Sequence, residues 1–283
     1  IQNLKDVMAT AASDSPDAVT QDILDRISDL KAAVTAAEQA QETKRSEATA
    51  ILADDSETQP VTYEQATADA KVALQQVIDN PLATAADLQT AIDQYRDTAT
   101  ATRAVRDDAM TAGSDAVTSA QNSDQSGDDR VVTAIQNLQQ VMATAASDSP
   151  DALTADIEAA ISAVKQAQVD AAKSRAEAAD LATAALQQTG PVTNEADVAT
   201  ARTNLQTLID DPTSTEQDLK NAMTELATAV TAAKTDRTTT NNEANKAITT
   251  ATNGDQSAAP AVQTAIQNLK DVMATAASDS PDA

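Results

Sequence analysis

Three observations predict an all-α fold, built as tandem three-helix bundles that share long helices and so form an elongated rod. All eight prolines fall in short polar clusters such as SDSPDA, SETQPVT, DNPLAT, TGPVT and DDPTST. Between the clusters, apolar residues recur at helical spacing with no breaker but Gly113, and nothing alternates with strand period over a useful length. Finally, IQNLKDVMATAASDSPDA occupies Ile1 to Ala18 and again Ile266 to Ala283, with a copy at Ile135 to Ala152 that differs only at Gln139 and Gln140. The starts lie 134 and 131 residues apart, which is a tandem array of units far longer than a short solenoid repeat. Both ends fall inside the repeat, so the array is expected to be a piece of a longer protein.

The first helix spans Ile1 to about Ala11, with Ile1, Leu4, Val7 and Met8 as its apolar stripe, and stops at Ser13-Asp14-Ser15-Pro16. Ser15 suits an N-cap, Pro16 the first helical position and Asp17 the positive end of the dipole, so a new helix is predicted there. It runs to Ala53 along one seam of Ile23, Ile27, Leu30, Val34, Ala37, Gln41, Lys44, Ala48 and Ile51, polar in its middle. After Pro60, Thr62 and Gln65 read as a capping box for a short helix carrying Ala66, Ala70, Leu74, Val77 and Ile78. Thr84 with Asp87 then starts a second long helix, whose seam of Leu88, Ile92, Tyr95, Ala99, Thr102, Arg106 and Ala109 continues past Gly113 towards Ala120.

The second period repeats the plan. From Val61 and Val192 onwards the offset is 131, pairing Leu74 with Leu205, Pro81 with Pro212 and Leu88 with Leu219; before that it is 134, which places a three-residue deletion in the loop between Asp54 and Gln59. Within each period, LQQVIDNPLATAADLQTAI from Leu74 matches LQQVMATAASDSPDALTADIEAAI from Leu138, giving a unit of one short and one long helix. The units are read as 1–60, 61–125, 126–190, 191–256 and a partial fifth at 257–283. A short helix covers only half of a long one, so each long helix is expected to serve two bundles and advance the rod by roughly 30 Å per unit.

Composition narrows the function. The chain of 283 residues has no His, Cys, Trp or Phe, and cores of Ala, Val, Ile and Leu bury little area per residue, so neighbouring units are expected to support one another. A net charge of -25 repels phosphates and anionic lipid, which speaks against nucleic acid and membrane surfaces as partners, and no apolar run is long enough to insert in a bilayer. A monomer is expected.

Without His or Cys, the common nucleophile–base pairs, zinc sites and thiol motifs are unavailable, and no GxSxG, P-loop or GxGxxG occurs. The paired carboxylates Asp54-Asp55, Asp107-Asp108, Asp128-Asp129 and Asp210-Asp211 are candidates for acid–base work or calcium binding. They lie at or near predicted helix ends or on solvated faces and lack EF-hand spacing, so capping and solvation are the expected roles. No catalytic, cofactor or metal residue is assigned, and the chain is read as a non-enzyme without cofactors.

Cations near the middle of the long helices form a sharper pattern. Arg103 and Arg106 match Lys234 and Arg237 at the 131 offset, with Lys165, Lys173 and Arg175 similarly placed. Either they meet the acidic turns of the flanking bundles and fix the angle between them, or they line a solvated face. Tyr63 and Tyr95 lie on apolar seams and are expected to pack rather than to form a binding platform.

Tyr63, Ala66, Ala70, Leu74, the turn Asp79-Asn80-Pro81 with Ala83-Thr84, and Asp87, Leu88, Ala91 and Ile92 together resemble the second and third helices of a FIVAR module. The copy with Asn194, Ala201, Leu205, Asp210, Pro212, Thr215, Asp218, Leu219 and Ala222 is similar but lacks the aromatic. The resemblance covers Val61 to Ala101 and Val192 to Ala232 and is weaker in the units carrying SDSPDA. It implies repeats of a cell-wall-anchored surface protein of a Gram-positive bacterium, with tandem bundles as a stalk that projects a distal adhesive domain. The Thr, Ala, Gln and Asp bias is similar to that of lactic acid bacterial surface proteins. The alternative expectation is that the modules themselves bind a host protein of matrix, serum or mucus.

Overall fold

A computed structural model of the chain describes residues 1–13 and 20–278. Among these the structure is α-helical without strands, in the order α1 (Gln2–Ala12), α2 (Thr20–Ala53), a short 3-10 turn (Asp55–Glu57), α3 (Gln65–Asp79), α4 (Ala85–Gln121), α5 (Asp129–Ala146), α6 (Thr154–Leu186), α7 (Ala196–Asp210), α8 (Glu216–Asn253) and α9 (Pro260–Ala277). The chain forms two compact units, one of Ile1–Ser114 with Gln139–Ala159 and one of Asp115–Leu138 with Ala160–Ala283. The helices pack as bundles, as the apolar periodicity requires, and among the described residues no helix is long and apolar enough to cross a membrane.

In the first unit, the end of α2, the whole of α3 and the start of α4 enclose Ala48, Ile51, Leu74, Ile78, Leu88, Ile92 and Tyr95. Each fully buried Leu or Ile contributes about 1.5–3 kcal/mol, and the seam residues Ala99, Arg106 and Ala109 carry the buried face of α4 onward. Thr84 and Asp87 cap α4 as expected: the Thr84 amide and hydroxyl donate to the Asp87 carboxylate, and the Asp87 amide donates back to Thr84 Oγ1. The polar middle of the α2 seam also has a use, since Gln41 donates to the carbonyls of Pro81 and Ala83 and ties α2 to the turn after α3.

In the second unit the equivalent core joins α6, α7 and the start of α8 around Ala182, Val192, Val198, Leu205, Leu219 and Leu226. Leu226 stands where the first unit has Tyr95, so the aromatic is a packing variant of an aliphatic position. Thr215 and Asp218 cap α8 in the same reciprocal way.

Three expectations need correction, and a fourth falls outside the described residues. Thr62 and Gln65 do not form a capping box: α3 begins at Gln65 with Glu64 as N-cap residue, which places Thr62 too far upstream, and Thr62 bonds Asp148 instead. Tyr63 stays half exposed on the chain leading into α3, whereas Tyr95 is buried. The helix start at Ser15-Pro16-Asp17 lies outside the described residues; in the copy at Ser147–Ala152 the same sequence is a turn, with Asp148 at φ 55, and the helix begins at Thr154.

The deletion is also misplaced. Arg45 donates to the carbonyls of Ile78 and Asn80, and Arg175 to those of Ile209 and Asp211 at 2.9 and 2.7 Å. The two arginines stand 130 residues apart and their acceptors 131, whereas Lys31 and Lys165 upstream stand 134 apart. Four residues are therefore missing inside α6 relative to α2, and one is regained between Arg175 and the start of α7. A helix tolerates this because four residues advance about 400°, leaving its apolar face turned by only about 40°.

Candidate functional site: buried arginines where bundles join

The arrangement with most chemistry in it is a set of arginines on α4 that grip the loop between α2 and α3. That loop folds on its own polar groups: Asp54 accepts from the Ser56 amide, which holds its carboxyl below the usual range, and Thr58 Oγ1 bonds the Asp55 carbonyl and Thr62 Oγ1. Burial pushes the Tyr95 phenol upward, partly offset by its hydrogen bond with Thr58. From α4, Arg96 takes both oxygens of Glu57 at 2.9 Å, which lowers the Glu57 carboxyl, and Arg103 donates to the Glu57 carbonyl.

Arg106 reaches furthest in. Its Nη1 donates to the carbonyls of Pro60 at 2.5 Å and Ala145 at 2.7 Å, and its Nη2 to Glu64 Oε1 at 2.7 Å and to the Ala152 carbonyl at 3.2 Å. Glu64 Oε1 also accepts from the amide and hydroxyl of Thr154, the first residue of α6. Asp148 completes the junction by accepting from the amide and hydroxyl of Thr62. One guanidinium and one carboxylate thus knit the loop before α3 to the end of α5 and the start of α6, all within the first unit. Burial opposes ionisation of Glu64, but the Thr154 hydroxyl and amide, then Arg106, outweigh it and hold the carboxyl below its usual range.

The second unit repeats the grip with Arg237, which donates to the carbonyls of Pro191 and Ala276 and to Glu195 Oε1 at 2.7 Å. Of the other cations singled out from the sequence, Arg175 caps the end of α7, Lys173 makes a long exposed pair with Glu177 at 3.9 Å, and Lys165 and Lys234 face solvent. Sequence reading missed Arg45, Glu64, Thr154 and Glu195. The repeated Pro-Val-Thr-x-Glu of Pro60–Glu64 and Pro191–Glu195 was the available signal for the two glutamates.

The paired carboxylates serve helix ends and surfaces. Asp55 pairs with Lys71 at 3.0 Å, Asp107 and Asp108 are exposed on α4, Asp128 accepts from the Arg130 amide and guanidinium at the start of α5, and Asp211 accepts from Thr213 after α7. The Arg130 guanidinium is the main reason that the Asp128 carboxyl lies below its usual range. Among the described residues, no group of three or more His, Cys, Asp or Glu side chains is placed to hold a metal ion. In the second unit an open groove of about 430 Å³ lies between α7, α8 and α9.

No protein-family model, curated protein or solved structure matches the chain.

Proposed function

We propose that the chain is a structural stalk segment of a Gram-positive bacterial surface adhesin, a series of FIVAR-like helical repeats that hold a distal binding domain away from the cell wall. The observation that carries this reading is the Arg106 junction. Within the first unit, α4 serves one core around Leu88 and Ile92, and through Arg106 and Gly113 it also meets the end of α5 and the start of α6. A helix shared between successive packing groups, with a buried ion pair at the joint, suits a spacer in which each repeat sets the direction of the next. Excess acid adds mutual repulsion that favours extension.

Small-angle scattering on the dilute monomer tests the proposal. A compact chain of this length has a radius of gyration of roughly 19 Å, whereas serial bundles about 150 Å long give roughly 45 Å. The larger value is expected; the smaller one removes the spacer mechanism.

A further inference from the structure

The turn between α8 and α9 carries a residue pair that its fold does not need. Of all the asparagines in the chain, only Asn253 is followed by glycine. Asn253 is the last residue of α8 and Gly254 its C-cap, and both are exposed. The backbone does not require glycine there. Gly254 has φ -78 and ψ 161, which any residue adopts, and a Cβ would meet the carbonyls of Thr250 and Ala251 at ordinary contact distances of 3.4 and 3.8 Å. What the missing side chain does change is access to the Gly254 nitrogen.

The earlier period supplies the comparison within the second unit. Asn122-Ser123-Asp124-Gln125-Ser126 matches Asn253-Gly254-Asp255-Gln256-Ser257 at the 131 offset, except at the second position. Asn122 has a further period after it and is exposed as well, so exposure of the asparagine belongs to this turn and not to its nearness to the end of the sequence. The amides that follow differ. Ser123 is half-buried, and its amide and hydroxyl donate to the Ala120 carbonyl at 3.2 and 2.8 Å. The Gly254 amide makes no backbone hydrogen bond among the described residues. The bonds that shape its turn lie beyond it, from the Ser257 amide to the Gly254 carbonyl at 3.0 Å and from the Ala259 amide to the Gln256 carbonyl at 2.9 Å.

We propose that Asn253-Gly254 is a self-modification site, at which the asparagine converts through a cyclic imide to aspartate and isoaspartate. The Gly254 nitrogen gives its proton to solvent and attacks Cγ of Asn253. A bond forms between that nitrogen and Cγ, the bond from Cγ to Nδ2 breaks, and Nδ2 leaves as ammonia. Water then opens the imide at either carbonyl by breaking its bond to the Gly254 nitrogen. Opening at Cγ gives aspartate; opening at the main-chain carbonyl gives isoaspartate, in which the chain runs on through Cβ and Cγ. Both products place a carboxylate at the C-terminal end of α8, whose last turn has no basic residue to offset it. Isoaspartate also inserts a methylene into the main chain just before the Gly254–Ala259 turn. The end of α8 and that turn therefore loosen as the protein ages. The proposal rests on the chemistry of this turn and does not depend on the stalk reading.

The test incubates the full chain at mildly alkaline pH and body temperature and follows each asparagine by peptide mass spectrometry, with isoaspartate separated from aspartate by chromatography. Amide loss at Asn253 is expected to run about tenfold faster than at Asn122, equivalent to about 1.4 kcal/mol off the barrier, with isoaspartate among the products. Gly254→Ser recreates the earlier turn and brings Asn253 down to the Asn122 rate. In the aged wild-type chain, hydrogen exchange at the Ser257 and Ala259 amides is faster than in the fresh one. Asn253→Gln, whose longer side chain closes the ring poorly, keeps the fresh pattern throughout. Equal rates at Asn253 and Asn122 overturn the proposal, as does a rate at Asn253 that survives Gly254→Ser. Aspartate as sole product also overturns it, since that marks direct hydrolysis without the imide. Unchanged exchange in the fully converted chain overturns the loosening.

Discussion

Arg106 and Arg237 are the same residue in successive periods, with matching acceptors at Pro60 and Pro191, Glu64 and Glu195, and Ala145 and Ala276. Their surroundings differ. The Arg106 side chain is 3% exposed and its Glu64 partner 13%, against 16% for Arg237 and 45% for Glu195. In the first unit α6 closes over the pair and adds two donors to the carboxylate. The comparison separates two contributions: local sequence suffices to form the grip, and a third helix is what removes it from water. An ion pair formed at the surface is worth about 0–1 kcal/mol, whereas breaking one that is already buried costs about 3–5 kcal/mol because the remaining partner is stranded.

The largest expected effect breaks that symmetry directly. Arg106→Ala should destabilise the first unit by about 3–5 kcal/mol, and Arg237→Ala the second by about 1 kcal/mol. The two are distinguishable in urea unfolding. Tyr95, the buried one of only two aromatics, reports the first unit by fluorescence, while circular dichroism follows all the helices. Equal losses would mean that the greater exposure of Arg237 and Glu195 has no energetic weight.

Acid should sharpen the contrast. The folded-state carboxyl of Glu64 lies below its unfolded value, so its contribution is complete above the unfolded pKa of about 4.3 and is lost as pH falls through the lower folded value. The fluorescence-detected midpoint of the first unit should therefore fall with pH below that point. Glu64→Gln should be less stable at neutral pH and show a shallower acid dependence; an unchanged slope would remove Glu64 from the explanation.

A smaller effect concerns the helix starts. Thr84→Ala and Thr215→Ala each remove one hydroxyl from a reciprocal cap and should each cost about 1 kcal/mol, read in the same two signals. The smallest is Gly113→Ala. Its Cβ would meet Met142 Sδ at 2.8 Å, but that is the far end of a flexible side chain, and alanine gains up to about 1 kcal/mol of helix propensity. Near-neutral stability is expected, and a large loss would show that Met142 is locked in place.

Helices and breaks were legible because proline and polar clusters interrupt an otherwise uniform apolar period, and the Thr84 and Thr215 caps were legible because a cap is decided within four residues. The Thr62 cap misled for the converse reason: its hydroxyl is used by Asp148, 86 residues away, and no local pattern encodes that competition. Arg106 and Arg237 could be picked out by their common offset, but their principal acceptors could not, since the expectation was acidic turns. Arg45 escaped notice, and with it the match to Arg175, because the missing helical turn shifts their offset to 130, out of step with the 131 of everything that follows.

Most of what the junction arginines hold is main chain. Arg106 takes the carbonyls of Pro60, Ala145 and Ala152, so the side chains at those positions are free of the task. Any residue offers the same oxygen. Repeats built this way can drift apart in sequence at the turns while the joint persists, provided that the arginine, its one glutamate and the backbone path survive. The Pro60–Glu64 and Pro191–Glu195 loops, already different at Tyr63 and Asn194, show such divergence under way.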